Sequence, residues 1–251
     1  SGTRAKAQVG TLDWVLVDES RSGREIPCEV HYPALEDGAG AIPAPGPFPT
    51  VVFGHGFVMA GGDYLTWIEG MVAASYVVIT VETETGFAPS HLDFGLDLAF
   101  VANAASSDVV DLVGTMDDRV AIGGHSMGGG AAWIAAAESS EADVVFGFAP
   151  AETNPSAIGA ANDVVIPALI ISGSSDGITP PASQHQPIFD ATSSECKSWV
   201  NLVEGSHCGF ANSGSLCDFG EPGFSGMTRA RQQEITLQVM TAWLDHAFYG
   251  G

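Results

Sequence analysis

The stretch Val120–Gly130, VAIGGHSMGGG, constrains the fold of this chain more than any other. Its first three residues predict a buried strand, and the alanine-rich run Ala131–Glu138 predicts a helix. Between them, Gly124 and Gly128 flank Ser126 in a G-x-S-x-G pattern. A strand, this pattern and a helix in succession form a sharp turn that holds a nucleophilic serine in a strained backbone conformation. We therefore predict that Ser126 is a nucleophile and that both flanking positions must be small.

Composition narrows the classes of protein to which the chain can belong. Its 251 residues, 45% of them hydrophobic, suffice for one large domain with a full core, and we expect a single domain over residues 1–251. The formal net charge of −22, from 30 acidic and 8 basic residues, disfavours nucleic acid as a partner because phosphates would be repelled. No apolar run is long enough for a membrane span. The acidic excess suits a secreted protein, through adaptation to salt or through simple solubility.

Strand and helix patterns alternate along most of the chain. Two β-rich runs joined by a turn predict an antiparallel hairpin at the start. The alternation that follows predicts an α/β fold, with a mostly parallel sheet of eight or nine strands and helices on both faces. The predicted strands are Thr11–Ser20, Glu25–Tyr32, Thr50–Phe53, Tyr76–Val81, Val120–Ile122, Asp143–Phe148, Ala168–Ser172 and Ser198–Val203. The predicted helices are Asp63–Ser75, His91–Ala105, Ala131–Glu138 and Thr228–Phe248. The last helix carries an apolar stripe, which consists of Ile235, Val239, Trp243 and Ala247.

Two polar side chains that follow late strands form a candidate catalytic triad with Ser126. Asp176 lies in a turn rich in glycine and serine, where its carboxylate can hold an imidazole in the required tautomer, although aspartate also caps turns. His207 follows the last predicted strand. The three residues therefore occur in the chain order Ser, Asp, His, which is typical of triads whose serine lies on a G-x-S-x-G turn. His185 is the rival candidate for the base, but it lies on a predicted helix before that strand. We therefore predict that Ser126, Asp176 and His207 are the catalytic residues.

Acyl transfer also requires two backbone N–H groups that stabilise the developing alkoxide. One is expected from Met127, directly after the nucleophile. The other is expected from Phe57, in the loop that follows the third predicted strand. Beside this oxyanion hole we expect an apolar substrate cleft. The residues predicted to line it are Phe57, Phe87, Met127, Ile178 and Phe210.

The four cysteines allow three complete pairings. Cys208 and Cys217 bracket a loop directly after the catalytic histidine, and a bridge between them would stabilise the fold by about 2.5 kcal/mol according to loop entropy. Cys28 and Cys196 are expected near opposite edges of the sheet, so we do not pair them. Four reduced cysteines remain the alternative. None of the four has the spacing of a zinc or redox motif.

These motifs resemble those of α/β-hydrolases in the cutinase-like polyester hydrolase and dienelactone-hydrolase-related group. The similarity runs from about residue 50 to residue 247, and the matching stretches are Gly56–Phe57, Val77–Thr83, Gly124–Gly129, Leu169–Pro180, Gly205–His207 and Ala242–Leu244. The resemblance implies a single-domain α/β-hydrolase fold and ester hydrolysis with no metal or organic cofactor.

The chain departs from this group in two places. Polyester hydrolases usually carry a Trp after the Pro that ends the sixth strand, whereas Ala151 follows Pro150 here, so the substrate-binding position lacks its aromatic ring. Dienelactone hydrolases use a Cys nucleophile, whereas this chain has Ser126. The segment Ala149–Pro167, where this fold usually inserts a lid, is short and polar. We therefore expect an open cleft with no large lid, and weaker activity on aromatic than on aliphatic polyesters.

These observations predict a secreted, extracellular or periplasmic serine carboxylester hydrolase that acts through an acyl-enzyme. We expect a monomer whose partners are short-chain or polymeric ester substrates. A serine peptidase or an acyltransferase of the same fold would use the same residues. Such peptidases, however, generally carry a large additional domain. A non-catalytic binding protein is a further alternative, although it would normally lack a residue of the triad.

Overall fold

The computed structural model describes residues 8–109, 112, 114–221 and 226–250. In this part of the chain, nine strands form one sheet in the order β3-β1-β2-β5-β4-β6-β7-β8-β9. The strands are β1 (Gln8–Asp18), β2 (Arg24–Ala34), β3 (Gly38–Ala39), β4 (Phe48–Gly54), β5 (Val77–Val81), β6 (Met116–His125), β7 (Val144–Phe148), β8 (Ala168–Gly173) and β9 (Lys197–Leu202). The six strands from β5 to β9 in that order are parallel, whereas β2 is antiparallel to both β1 and β5.

Helices cover both faces of this sheet. They are α1 (Leu65–Ala73), α2 (His91–Asp108), α3 (Met127–Glu138), α4 (Ala157–Ala161), α5 (His185–Ala191) and α6 (Arg229–Tyr249). Side chains of α2, α3, α4 and α5 form a core with one face, and those of α1 and α6 form a second core with the other. The alternation of side chains along β4 joins both cores, because Val52 lies in the first and Val51 and Phe53 lie in the second. None of the described helices is long and apolar enough to cross a membrane.

The α/β-hydrolase fold class predicted from the sequence is confirmed. The antiparallel hairpin pairs β1 with β2 over their full lengths, from Gln8 opposite Ala34 to Asp18 opposite Arg24. The strand β3 and the helix α4 lie outside the predicted pattern, whereas α5 begins at His185, where the sequence predicts a helix. The segment Ala149–Pro167 contains the five-residue α4 and no larger element, so no large lid is present there.

The apolar stripe predicted for the last helix is displaced from its buried face. The predicted stripe residues are only partly buried, whereas Thr236, Met240 and Leu244, each one position later, are buried. Gln232 is also fully buried, because its side-chain amide accepts a hydrogen bond from the N–H of Ser206 (2.9 Å) and donates one to the carbonyl of Ser206 (2.7 Å). Helix α6 therefore anchors the loop directly before His207 through a polar contact that a hydrophobic pattern cannot predict.

Candidate active site

The predicted turn at Ser126 is the junction between β6 and α3. The backbone of Ser126 has φ 56° and ψ −117°, a region that non-glycine residues rarely adopt. Hydrogen bonds hold it there, since its N–H donates to Phe148 (2.9 Å) and its carbonyl accepts from Gly130 (3.0 Å) and Ala151 (2.9 Å). The turn thus fixes a strained serine at the first turn of α3, where the helix dipole favours negative charge.

Close backbone packing explains the two flanking glycines. A Cβ atom at Gly124 would lie 2.5 Å from the backbone of Gly128. A Cβ atom at Gly128 would collide with the backbone carbonyl of Gly54 at the end of β4. Neither neighbour is a flexible side chain that could move away, so a larger residue at either position would displace β4 or α3. The structure therefore agrees with the requirement for small residues at these two positions.

Asp176 and His207 meet at the carboxyl ends of β8 and β9. Nδ1 of His207 lies 2.8 Å from Oδ2 of Asp176, and both side chains are buried. The other carboxylate oxygen accepts hydrogen bonds from the backbone N–H groups of Ile178 (2.9 Å) and Thr179 (2.7 Å). Burial acts to raise the pKa of Asp176, but the hydrogen bonds from His207 and Thr179 outweigh it, and the pKa lies below its ordinary value. Asp176 is therefore a carboxylate that holds the His207 imidazole with its Nδ1–H toward it.

The backbone of His207 is also held on both sides. Its N–H donates to one carboxylate oxygen of Glu221 (2.9 Å), and the N–H of Cys208 donates to the other (2.8 Å). Its carbonyl accepts from Nε2 of the fully buried His125, 3.1 Å away, and the two imidazole rings lie 4.6 Å apart. Since a carbonyl only accepts, His125 carries its proton on Nε2 and accepts from the Tyr64 hydroxyl at Nδ1 (2.8 Å). Burial and the neighbouring His207 hold the pKa of His125 well below its ordinary value, so it is neutral.

Glu221 provides the first test of this arrangement. Replacing Glu221 with Ala leaves the N–H groups of His207 and Cys208 without their carboxylate, and we expect kcat for an ester substrate to fall about tenfold because the imidazole is less well placed. Glu195→Ala is the matched control, since Glu195 is exposed and does not line the cleft. The measurement is steady-state kinetics, with thermal unfolding to confirm that both variants fold. Wild-type kcat in Glu221→Ala would contradict a positioning role for this carboxylate.

The two predicted oxyanion-hole donors lie on the turn at Ser126 and on the loop after β4. In the described part of the chain, the backbone N–H groups of Phe57 and Met127 donate to no protein acceptor. The N–H of Gly128 donates to the carbonyl of His55 (3.0 Å), and this bond joins the loop to the start of α3. The N–H of Gly56 donates to the Tyr64 hydroxyl (2.9 Å) and thereby links the loop to His125. Two unpaired donors are thus carried by segments that are bonded to each other.

An apolar cleft of about 280 Å³ opens beside Ser126 and His207. Its lining residues are Phe57, Val58, Met59, Phe87, His125, Ser126, Ile178, His207, Leu216, Cys217 and Gly220. Phe57, Phe87 and Ile178, three of the residues predicted to bind substrate, are thus part of this lining. Leu216 is an apolar lining residue that the sequence analysis did not identify.

Three predicted cleft residues lie elsewhere. Phe210 does not line the cleft, contrary to the prediction from the sequence. The short 3₁₀ helix Cys208–Phe210 turns its ring into the core, where it stacks on Phe148 at 5.5 Å and is 2% exposed. Met127 is buried and is absent from the cleft lining, so only its N–H remains a candidate contact. Ala151 also contributes nothing to the lining, since its backbone is bonded to Ser126 and packs against Gly130 of α3.

The predicted disulfide between Cys208 and Cys217 is present. It closes the loop that brings Leu216 and Gly220 to the cleft and Glu221 to the backbone of His207. Cys28, buried on β2, and Cys196, exposed before the edge strand β9, are free, as expected from their separation across the sheet. Among the described residues, no group of three or more His, Cys, Asp or Glu side chains could hold a metal ion.

Comparison with known proteins identifies the family of this chain. The family model described as PETase, PET hydrolase-like, matches residues 28–235. Cutinase est1 of Thermobifida alba is 28% identical over 150 residues, which cover 57% of this chain and 48% of that protein. The cutinase of Thermobifida fusca (strain YX) is 29% identical over 148 residues, which cover 57% of this chain and 47% of that protein. The aligned region thus spans about half the length of these curated relatives.

A solved structure shares the fold over almost the whole chain. The ferulic acid esterase from Streptomyces cinnamoneus superposes with a TM-score of 0.75 at 19% sequence identity, and the match covers 98% of this chain and 92% of that one. At this identity the likeness establishes the fold alone. The family match, in contrast, extends over most of the chain and includes Ser126, Asp176 and His207. The chain therefore belongs to the PET hydrolase-like family.

Proposed function

We propose that this chain is a serine carboxylester hydrolase with Ser126, Asp176 and His207 as its catalytic triad. The observation that carries the proposal is the convergence of these residues from three strand ends. Ser126 and His207 line the same apolar cleft, and His207 is bonded to a buried carboxylate that is held by two backbone N–H groups. Membership of the PET hydrolase-like family and similarity to cutinases support ester hydrolysis as the reaction.

The first half-reaction transfers the acyl group to Ser126. Because Nδ1–H of His207 donates to Asp176, Nε2 is the nitrogen that accepts the Ser126 proton. The serine oxygen then bonds to the ester carbonyl carbon, and the carbonyl oxygen takes up the negative charge. The N–H groups of Phe57 and Met127 stabilise that oxyanion, each by about 3 kcal/mol in the transition state. The bond to the alcohol breaks, and the alcohol leaves with the proton from His207.

The second half-reaction releases the acid. His207 takes a proton from water, whose oxygen attacks the acyl carbon and displaces Ser126 through the same oxyanion. The serine oxygen recovers its proton from His207, so the enzyme returns to its starting state. Every proton moves between substrate, water and the side chains named here.

The dimensions of the cleft support a short acyl group or one unit of a polymer as the substrate. About 280 Å³ is at the lower end of small-molecule sites, which are typically of about 300–1,000 Å³. Phe57 and Phe87 meet edge to face at 6.4 Å on the wall of the cleft, and Phe87 is 82% exposed. We propose that this pair supplies the ring contact that Ala151 lacks, while the open cleft admits a polymer chain.

Phe87 tests this choice of substrate. We expect Phe87→Ala to lower product release from an aromatic polyester film about fivefold, because an aromatic contact contributes about 1 kcal/mol beyond burial. Hydrolysis of a soluble short-chain ester should change much less. Phe219→Ala is the matched control, since Phe219 is 83% exposed and does not line the cleft. Equal losses on both substrates, or none on the film, would argue against the ring contact.

A substrate panel tests the proposed reaction class. The purified protein should hydrolyse p-nitrophenyl butyrate and aliphatic polyester and leave peptide amides intact. Peptide cleavage without ester cleavage would support the peptidase alternative.

We further propose an extracellular or periplasmic location and a monomeric enzyme. The Cys208–Cys217 disulfide supports this location, because structural disulfides persist in oxidising compartments.

A further inference from the structure

Behind Asp176 lies a chain of hydrogen bonds, buried except for a partly buried one from Trp199, that the reaction described above does not use. Nε1 of Trp199 on β9 donates to Oγ of Ser172 on β8 at 2.7 Å. The same Oγ lies 2.7 Å from Nδ1 of His185, the first residue of α5. Nε2 of His185 lies 3.1 Å from Oγ1 of Thr179, which is 2.9 Å from Oδ2 of Asp176. Four side chains from β8, β9, α5 and their loops thus connect the edge of the sheet to the triad carboxylate.

The direction of this chain follows from its donors and acceptors. The indole N–H of Trp199 can only donate, so Ser172 accepts it and has its own proton available for Nδ1 of His185. Nε2–H of His185 then donates to Thr179, whose proton goes to Asp176. The opposite tautomer of His185 would leave the Ser172 hydroxyl proton without an acceptor among the described residues. Only the first arrangement gives every buried proton a partner.

Two further observations agree with this direction. With Nε2 of His185 and Nδ1 of His207 both protonated, the Thr179 hydroxyl has two acceptors in reach for its one proton. They are the Asp176 carboxylate at 2.9 Å and the Ala149 carbonyl at 3.1 Å. A hydrogen bond to the charged acceptor is the stronger one. His185 is fully buried, and burial lowers its pKa to about 4, so its imidazole is neutral at pH 7 and one nitrogen can accept.

We propose that Thr179 and His185 are positioning residues for the triad, which hold Asp176 ionised and oriented through a hydrogen-bond chain that begins at Trp199. Bonds that all point the same way strengthen one another. Oδ2 of Asp176 accepts from both the Thr179 hydroxyl and Nδ1–H of His207, so these two donors share its charge. Nδ1 of His207 also lies 2.9 Å from the Thr179 hydroxyl oxygen. This proposal rests on the proposed function, because it assigns a role at the same site.

Removing the Thr179 hydroxyl should shift the pH profile of kcat/KM in a predictable direction. Without that donor, Oδ2 carries more charge and favours the protonated imidazole of His207 more strongly. The acid limb of kcat/KM should then move to higher pH. Among the described residues, the other ionisable groups that face Asp176 and His207 are His185 on α5, His125 at the end of β6 and Glu221 on the backbone of His207. All of them are unchanged in the variants below that alter Thr179 or Ser172.

The experiment compares Thr179→Val, which keeps the shape of the side chain, with Thr179→Ser, which keeps the hydroxyl. We expect Thr179→Val to lower kcat about tenfold and to move the acid limb upward, and Thr179→Ser to recover most of both. Ser172→Ala is the second variant. Ser172 contacts neither Asp176 nor His207 in the hydrogen bonds described. Its replacement nevertheless frees His185 to adopt the other tautomer, so the acid limb of kcat/KM should move in the same direction.

The outcomes separate this proposal from the proposed function. A wild type with no esterase activity would contradict the proposed function. The proposal would then be tested by proton NMR, where the downfield His207 Nδ1–H resonance should shift in Thr179→Val and return in Thr179→Ser. An active wild type whose acid limb and downfield resonance are both unchanged in Thr179→Val and Ser172→Ala would overturn the proposal. A loss of kcat without either shift would also overturn it, because that result indicates a purely structural role.

Discussion

Ser126→Ala should lose ester turnover by about ten-thousand-fold or more while its circular dichroism spectrum stays that of the wild type. The reason is that Ser126 supplies the only oxygen that we propose forms the acyl-enzyme. The substitution removes only the side-chain oxygen of Ser126. The backbone of this residue stays in place because its N–H and carbonyl keep their hydrogen bonds to other residues. The measurement is kcat/KM for p-nitrophenyl butyrate, followed over hours to detect a slow residual rate.

The partner substitution shows whether the residues act together. His207→Ala should cost about as much as Ser126→Ala, and the double variant should be no worse than either, because a nucleophile without its base is already inactive. Costs that multiply in the double variant would show independent roles and would contradict the triad. Residual activity near the wild-type level in Ser126→Ala would contradict the mechanism outright.

The second large effect concerns stability in mild acid. Burial lowers the pKa of His31 and of His185 to about 4, against an ordinary value of 6.5. Between these values the unfolded chain binds a proton at each histidine and the folded chain does not, so stability falls as the pH falls from 6.5 to 4. Each histidine should cost roughly 3 kcal/mol over that interval. This contribution is fully retained above pH 6.5. By pH 4 the two histidines together should lower the free energy of unfolding by about 6 kcal/mol, a large part of the roughly 5–15 kcal/mol of an ordinary fold.

Urea unfolding at several pH values and constant ionic strength measures this loss. His31→Asn should remove one histidine's share of the slope, because His31 is 2% exposed and its Nε2 has no hydrogen-bond partner in the described part of the chain. His246→Asn is the control, since His246 lies on the exposed side of α6. A free energy of unfolding that stays level from pH 7 to pH 4.5 would contradict the argument from buried neutral histidines.

The turn at Ser126 and the meeting of Asp176 with His207 could be predicted from the sequence, because both depend on local patterns. A serine between two glycines, a strand before it and a helix after it leave few alternatives, and Gly124 and Gly128 pack as such a turn requires. Asp176 and His207 each follow a strand, and parallel strands bring such loops to one edge of the sheet.

The supporting residues could not be predicted in this way. Glu221 reaches the backbone of His207 across 14 positions only because the loop closes on itself, and no spacing rule indicates that contact. His185 looked like a competing base in the sequence, whereas in the structure its imidazole bonds to Thr179 and Ser172 and does not line the cleft. Phe210 was expected in the cleft because it follows His207 closely, but the 3₁₀ turn between them directs its ring into the core.

Labelling with a fluorophosphonate probe, followed by peptide mass spectrometry, tests the central claim most directly. The probe reacts with a serine only where a base and an oxyanion hole activate the hydroxyl group. We predict one labelled residue, Ser126, with labelling abolished in Ser126→Ala and strongly slowed in His207→Ala, and with no effect of the exposed control Glu195→Ala. Labelling at a different serine, or none in a folded protein that hydrolyses esters, would contradict the assignment of Ser126 as the nucleophile.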